Sequence, residues 1–335
     1  MEKETKELKK RILKAKSILL LTHKGPDLDA FCSMLILYKV LKENFPGKDI
    51  TMKAKQYPNI KLPYMENIEI VETIEYEQED LVIITDTAFL SMCMEKDVDT
   101  IQGTDSFMIF IDHHKSTSEK DSNEMVINDL RSSATEQVYV TLREIFGKKL
   151  NLNKEIAALI QYGIVADTGR FLYDSTTSDT LRVFAEAMDS FPINMEEFTY
   201  KNAKFPQEAN SVMIEYLKTL TIKGDMAYMY LSRDVCEKGN FTKQAVNEAQ
   251  GFLRDNYLRF IQGVHWGFIV KPILDTPDKW FVSFRSTKEY QDVEIIAKKL
   301  DGGGHVYSSA FKMNANSIEE VLEKTLKVID EIVIS

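Results

Sequence analysis

The sequence predicts an α/β fold, with an N-terminal domain on a doubly wound parallel sheet and a smaller C-terminal α+β domain. Three observations carry this. First, Ser17 to Leu21, Leu81 to Thr85 and Phe107 to Ile111 are short runs of β-branched and large apolar residues, the composition of strands buried on both faces. Second, apolar helical patterns lie between or after them, at Leu28 to Lys42, Thr135 to Phe146, Lys154 to Ala166 and Thr180 to Met188, the alternation of a sheet covered by helices. Third, from about Asp225 the pattern changes to longer alternating strands at Met226 to Leu231, Gly263 to Lys271 and Trp280 to Arg285. A helix at Val293 to Leu300, a glycine run and a last helix from Ser317 come after them.

The elements divide the chain into a catalytic domain over residues 1–188, a helical and polar connector over 189–222 punctuated by Pro192 and Pro206, and a second domain over 223–335. Residues 2–16 form a charged helix whose Leu8, Ile12 and Leu13 give a partial apolar face. Gln56 to Asn67 reads as a surface loop. The active site is expected in the cleft between the two domains.

With 335 residues, 44% hydrophobic and 28% charged, the chain has the composition of an ordinary globular protein, with length for about two domains at roughly 150 residues each. Its apolar runs fall short of the ~20 residues that span a bilayer, and its Lys- and Glu-rich start lacks the apolar core of a secretory signal. A cytoplasmic protein without a membrane partner is expected. Three cysteines, Cys32, Cys93 and Cys236, are too few and too far apart for a disulfide framework or a thiolate zinc site. A net charge of −10 disfavours a coat on long nucleic acid, which needs lysine and arginine against many phosphates. A small anion held in a local pocket is compatible with it.

The residues just past each apolar strand point to chemistry. After the first comes His23-Lys24-Gly25-Pro26-Asp27-Leu28-Asp29, after the second Asp86, and after the third Asp112-His113-His114. In open α/β sheets the carboxyl ends of the strands are where ligands bind, so these distant segments are expected to converge. Asp167, at the end of an apolar helix, is a fourth contributor. Taken singly, each has a plainer reading as a cap, a turn or a polar strand end; three of the five histidines falling in such motifs favours a metal site.

The ligand set would be His23, Asp27, Asp29, Asp86, His113 and Asp167. Oxygen and imidazole donors without sulfur suit manganese or magnesium better than a structural zinc. Four carboxylates balance two divalent ions, and a two-ion site braces both oxygens of an in-line phosphoryl displacement. In the second domain Asp301-Gly302-Gly303-Gly304-His305 comes after Arg285. Backbone N–H groups of the glycines with His305 and Arg285 would clamp an anionic substrate. His265, beside Trp266, reads as structural.

Together, H-x-x-P-D-x-D-A at His23 to Ala30, Asp86 after a strand, D-H-H at Asp112 to His114, G-I-V-A-D-T-G-R-F at Gly163 to Phe171 and G-G-G-H at Gly302 to His305 resemble the DHH phosphoesterase family with its DHH-associated C-terminal domain. The ordered set spans nearly the whole chain. Among subfamilies it is most similar to the bacterial oligoribonuclease or nanoRNase type, which includes cyclic-di-AMP and pApA phosphodiesterases and pAp phosphatases. The resemblance implies a manganese-dependent hydrolase in which the six ligands hold two metals and Asp86 bridges them. It implies further that His114 contacts the scissile phosphate, that Asp112 orients the histidines, and that Arg285, Gly302, Gly303, Gly304 and His305 hold the nucleotide. A homodimer is implied in the same way. The chain departs from the family's pattern at Asp301, where a fourth glycine often stands, and at Ser308-Ser309-Ala310, where Ala-Ala-Gly is common.

The expected reaction is therefore hydrolysis of short 5′-phosphorylated oligoribonucleotides, linear dinucleotides such as pApA, or cyclic-di-AMP to nucleoside monophosphates, with pAp as a further substrate. The alternatives are a single-strand exonuclease of the RecJ sort, which the acidic charge and the lack of residues for a further nucleic-acid-binding domain disfavour, a pyrophosphatase, and a non-catalytic nucleotide sensor.

Overall fold

Strands β1 (Ser17–Thr22), β4 (Leu81–Thr85) and β5 (Phe107–Ile111) run parallel at the centre of a six-stranded sheet. Around them β2 (Asp49–Ala54), β3 (Ile68–Ile70) and β6 (Glu124–Ile127) complete the order β3-β2-β1-β4-β5-β6. We describe the chain from a computed structural model, over residues 2–58, 61–74, 76, 78–93, 106–114, 122–202 and 204–333; positions 59 and 60 of the loop expected at Gln56 to Asn67 lie outside the described residues.

The central strands read as unbroken apolar runs because both their faces are dry. Ile18, Leu20, Ile83, Ile109 and Ile111 point into one core, while Leu19, Leu21, Val82, Ile84, Met108 and Phe110 point into another. Helices α1 (Glu2–Lys14), α2 (Leu28–Asn44), α3 (Ala134–Phe146), α4 (Lys154–Asp167) and α5 (Ser178–Ser190) cover the first face. Among the described residues, Ile74, Tyr76, Leu90 and Cys93 cover the second. From β1 the chain crosses to β2 on one side, and β4 lies on the other. The gap between β1 and β4 at their carboxyl ends is therefore the switch point at which such sheets bind ligands.

The chain divides into two units, Met1–Asn202 and Ala203–Ser335; α6 (Met195–Asn202) closes the first. The second unit carries a mixed six-stranded sheet of β7 (Thr221–Lys223), β8 (Met226–Tyr230), β9 (Trp266–Pro272), β10 (Lys279–Ser286), β11 (Gly303–His305) and β12 (Ser308–Asn314), in the order β11-β12-β10-β9-β8-β7. Helices α7 (Glu208–Lys218), α8 (Arg233–Gly239) and α9 (Lys243–Asn256) pack on one face. Helices α10 (Val293–Lys299) and α11 (Ile318–Val333) pack on the other. The expected α/β and α+β architectures are both present. Strands β2, β3, β6, β7, β11 and β12 and helices α8 and α9 are additions that the sequence pattern did not single out. All three cysteines are buried and unpaired, and no helix among the described residues is long and apolar enough to cross a membrane.

One close approach fixes the helical layer under the ligand edge. Gly163 of α4 faces Thr135 of α3 so tightly that a Cβ there would lie 2.1 Å from Thr135 Oγ1. In a helix interior Gly→Ala ordinarily gains ~1 kcal/mol. Here Gly163→Ala is expected to lower stability by about 1–3 kcal/mol, the usual cost of overpacking, as measured by urea unfolding. A stability equal to or above that of the parent would show that α3 and α4 can move apart.

Candidate metal centre

The turn after β1 is built to place acidic groups at the switch point. Asp27 is the N-cap of α2, its Oδ1 accepting from Ala30 N at 3.0 Å. The plain reading of Asp27 as a cap is thus correct, and the cap leaves the carboxylate at the site. Two residues on, Asp29 is 1% exposed, within the first turn of α2. Its carboxylate accepts from two backbone N–H groups at the start of α3, Ala134 N at 2.6 Å and Thr135 N at 2.9 Å. Four orphan N–H groups and the positive end of the helix dipole make such a terminus a natural partner for an anion.

Asp86 ends β4 with φ of 62°, a left-handed conformation that a non-glycine residue adopts only at a cost of order 1–3 kcal/mol. Its backbone N–H is held by Ile111 O at 3.0 Å. This bend divides its carboxylate between two neighbours: Oδ2 lies 3.3 Å from His23 Nε2, and Oδ1 lies 3.3 Å from His113 Nε2. His113 Nε2 is also 3.4 Å from Asp167 Oδ2 and 4.0 Å from Asp29 Oδ2. Asp112 is buried and takes no place in this ring of donors; its Oδ1 is 2.8 Å from His114 Nδ1. His114 in turn lies 3.7 Å from Asp86 Oδ1.

The donor atoms form three groups, each within 4.8 Å: His23 with Asp27 and Asp86, Asp29 with His113 and Asp167, and Asp86 with His113 and His114. All six residues expected as ligands come together, and Asp86 and His113 each belong to two groups. The donor chemistry fits a divalent cation on two counts. Asp86 Oδ1 and His113 Nε2 are buried yet make no hydrogen bond despite their proximity, and buried polar atoms seldom stay unsatisfied. Their separations are also close to the ~3 Å edge of an octahedron with bonds of ~2.1 Å.

Electrostatics lead to the same conclusion. Burial alone would raise the Asp86 carboxyl, but His113 and His23 outweigh it and bring its pKa down to about 2. Burial would lower the His113 imidazole, yet Asp86, Asp29 and Asp167 raise it to about 10. Burial raises Asp167 to about 6 against the pull of His113. Asp29 is pushed well up by burial and by the Asp86 and Asp167 carboxylates. Asp112 raises His114 through their hydrogen bond. In the metal-free cluster, histidine protons supply the positive charge that the carboxylates demand.

In the second unit Arg285 lies on β10 and His305 ends β11, and both are paired across the sheet with Ser308 of β12. Opposed residues share a face, so Arg285, Ser308 and His305 form one row. Arg285 Nε is held by Asp255 Oδ1 of α9 at 2.9 Å, an acceptor that the sequence did not signal. The glycine run differs from the expected open cradle. Gly302 N–H is spent on Ala297 O at 2.8 Å, capping the end of α10, and Gly303 and Gly304 are strand residues of a hairpin. A Cβ on Gly302 would lie 2.3 Å from Ala310 O, and one on Gly304 2.5 Å from Ser308 O, so close packing on β12 demands both glycines; only Gly303 is open. His265, expected to be structural, stacks on Tyr290 with ring centroids 3.7 Å apart.

A parallel α/β sheet with a histidine and aspartate cluster at its switch point defines a metal-binding α/β domain. Residues 17–164 match the DHH family, N-terminal domain. The bifunctional oligoribonuclease and PAP phosphatase NrnA of Bacillus subtilis is 29% identical over 297 residues, covering 88% of this chain and 88% of that protein. The cyclic-di-AMP phosphodiesterase GdpP of Bacillus subtilis is 24% identical over 346 residues, covering 97% of this chain but 49% of that protein. A crystal structure of an exopolyphosphatase-related protein from Bacteroides fragilis has the same fold, with a TM-score of 0.81 at 20% identity over 99% of this chain and 95% of that one.

The raised His113 pKa sets a pH dependence. An imidazole with a pKa of about 10 is protonated at neutral pH, so a cation must displace its proton, and affinity rises with pH until that pKa is reached. Manganese affinity, measured calorimetrically, is expected to increase about tenfold per pH unit for each proton displaced. Titrations in buffers of different ionisation enthalpy should show proton release. Affinity that is flat between neutral and alkaline pH would contradict displacement of a proton from His113.

Proposed function

We propose that this chain is a metal-dependent phosphodiesterase that hydrolyses short 5′-phosphorylated oligoribonucleotides and linear dinucleotides such as pApA to nucleoside monophosphates, and that also removes phosphate from pAp. The observation that carries this reading is the division of the Asp86 carboxylate, with one oxygen toward His23 and the other toward His113. That arrangement suits a carboxylate shared by two cations. His23, Asp27 and Asp86 would hold one; Asp29, His113, Asp167 and Asp86 the other. Two divalent ions, manganese or magnesium, would supply a water activated at neutral pH and positive charge against the phosphate oxygens.

The chain's own groups do the rest. Asp112 holds the Nδ1 edge of His114 at 2.8 Å and raises its pKa, which favours the cationic ring that would donate to an oxygen of the scissile phosphate. The start of α3 holds Asp29 in position through two backbone N–H groups. Arg285 and His305 would bind the nucleotide, with Arg285 oriented in advance by Asp255. The similarity to a cyclic-di-AMP phosphodiesterase favours a second substrate of the same class, the cyclic dinucleotide.

Purified protein incubated with manganese and equal concentrations of pApA, cyclic-di-AMP and pAp, with a chelator control, tests the reading. Chelator-sensitive AMP is expected, fastest from pApA; faster loss of cyclic-di-AMP would make the ring the preferred substrate, and no metal-dependent product would refute hydrolysis. Asp86→Asn should lower turnover by more than the ~10–100-fold typical of losing a supporting residue. His305→Ala should mainly raise KM with kcat kept, as expected when substrate binding alone is weakened.

A further inference from the structure

A second basic site lies on the sheet of the second unit, away from the Arg285 row. The register of β9, β10 and β12 sets Lys271, Phe281 and Lys312 side by side, Phe281 opposing both lysines. They therefore share the face that α9 covers. Over this row α9 presents Lys243 and Asn247, one turn apart, and the five residues line a cavity of about 310 Å³. That volume is at the small end of the ~300–1,000 Å³ range of ligand pockets, suited to one ligand of mononucleotide size.

The charges in this cavity lack their complement. Lys243 pairs with Asp275, whereas Lys271 donates to the neutral amide of Asn247. Its ammonium lies 5.2 Å from the Phe281 ring centroid. Neither Lys271 nor Lys312 has a carboxylate partner among the described residues. Burial and the neighbouring Arg254, Lys243 and Lys312 bring the Lys271 ammonium down to about 8. A chain with a net charge of −10 has acidic groups to spare, yet three lysines and no carboxylate line this cavity. Lysines that serve solubility stand apart on convex surface; these converge on a concavity.

We propose that this cavity binds the phosphate group of a small phosphorylated compound, with the Lys271 and Lys312 ammoniums on its oxygens and Phe281 under the attached organic part. A phosphate group carries up to two negative charges and several acceptor oxygens, enough to answer two ammoniums at once. The same chemistry is offered by inorganic phosphate and by a mononucleotide, and Phe281 adds apolar and stacking contact only for the second. None of these residues belongs to the metal centre or to the Arg285 row, so the site stands or falls independently of the proposed hydrolysis.

The test is amine footprinting of the full chain by acetylation and mass spectrometry, in chelator so that no hydrolysis intervenes. Inorganic phosphate and AMP are the two probes. Labelling of Lys271 and Lys312 is expected to fall severalfold with ligand, while the exposed Lys324 is unchanged. In Lys312→Gln, a substitution at an exposed position, the protection of Lys271 should be lost without change in Tm. Protection by both probes supports recognition of the phosphate group itself; protection by AMP alone supports the mononucleotide. Unprotected Lys271 at millimolar concentrations of both, or protection undiminished in Lys312→Gln, would overturn the proposal.

Discussion

The carboxylates at the carboxyl ends of β1 and β4 and the end of α4 repel one another, and the first unit is arranged around that repulsion. Asp29, Asp86 and Asp167 share a single imidazole, His113, within 4.0 Å. Like charges so close in a buried setting can coexist only with compensating cations or protons. In the metal-free cluster the compensation comes from histidine, with His113 raised to about 10 and Asp86 lowered to about 2. A divalent ion would supply more charge at shorter range than an imidazolium, so exchange of protons for metal would relieve the repulsion.

Holding such a cluster requires support from outside it. Glu136, fully buried on α3, accepts from Ser132 N at 3.2 Å, Ser132 Oγ at 2.6 Å and Thr180 Oγ1 of α5 at 2.8 Å, and Arg131 lies 3.3 Å away. These contacts fix the start of α3, whose next N–H groups hold Asp29. A path of hydrogen bonds thus runs from α5 through Glu136 to a carboxylate of the cluster. Gly163 lets α4 approach the same terminus, and α4 ends at Asp167. Packing in the helical layer and placement of charge are one arrangement.

The central strands and the cluster were legible in the sequence for the same reason: β1, β4 and β5 are dry on both faces, so they stand out as apolar runs, and the residue after each stands out as polar. Strands β2, β3 and β6 were not. In β2 (Asp49–Ala54) apolar and polar residues alternate, β3 is three residues long, and β6 is half-buried, so none carries the signal of a buried run. Support for Asp29 was hidden because it comes through backbone N–H groups more than 100 positions away. The one local hint was Ser133 ahead of Glu136, a capping pattern that marks a helix start but not what that start faces. In the second unit, Gly302 to Gly304 suggested an anion cradle; two of the glycines instead answer to the backbone of β12.

This last difference changes how the second unit would recognise a nucleotide. An open glycine cradle binds any anion that reaches its N–H groups. Here Gly302 is committed to the end of α10, and Ser309 Oγ ties the hairpin to Val293 O at 2.6 Å. Ser309 thus closes the hairpin onto α10. On the proposed function, discrimination would fall instead to the row of Arg285, Ser308 and His305. Arg285 is already engaged by Asp255, whose carboxyl is held below its ordinary range by Arg254 and Arg285 against the push of burial. On that reading, an incoming phosphate would have to share Arg285 with Asp255 or displace a carboxylate that is reluctant to protonate. Either demand fixes the direction of approach, which favours a ligand whose phosphate is presented at a set angle over a free anion.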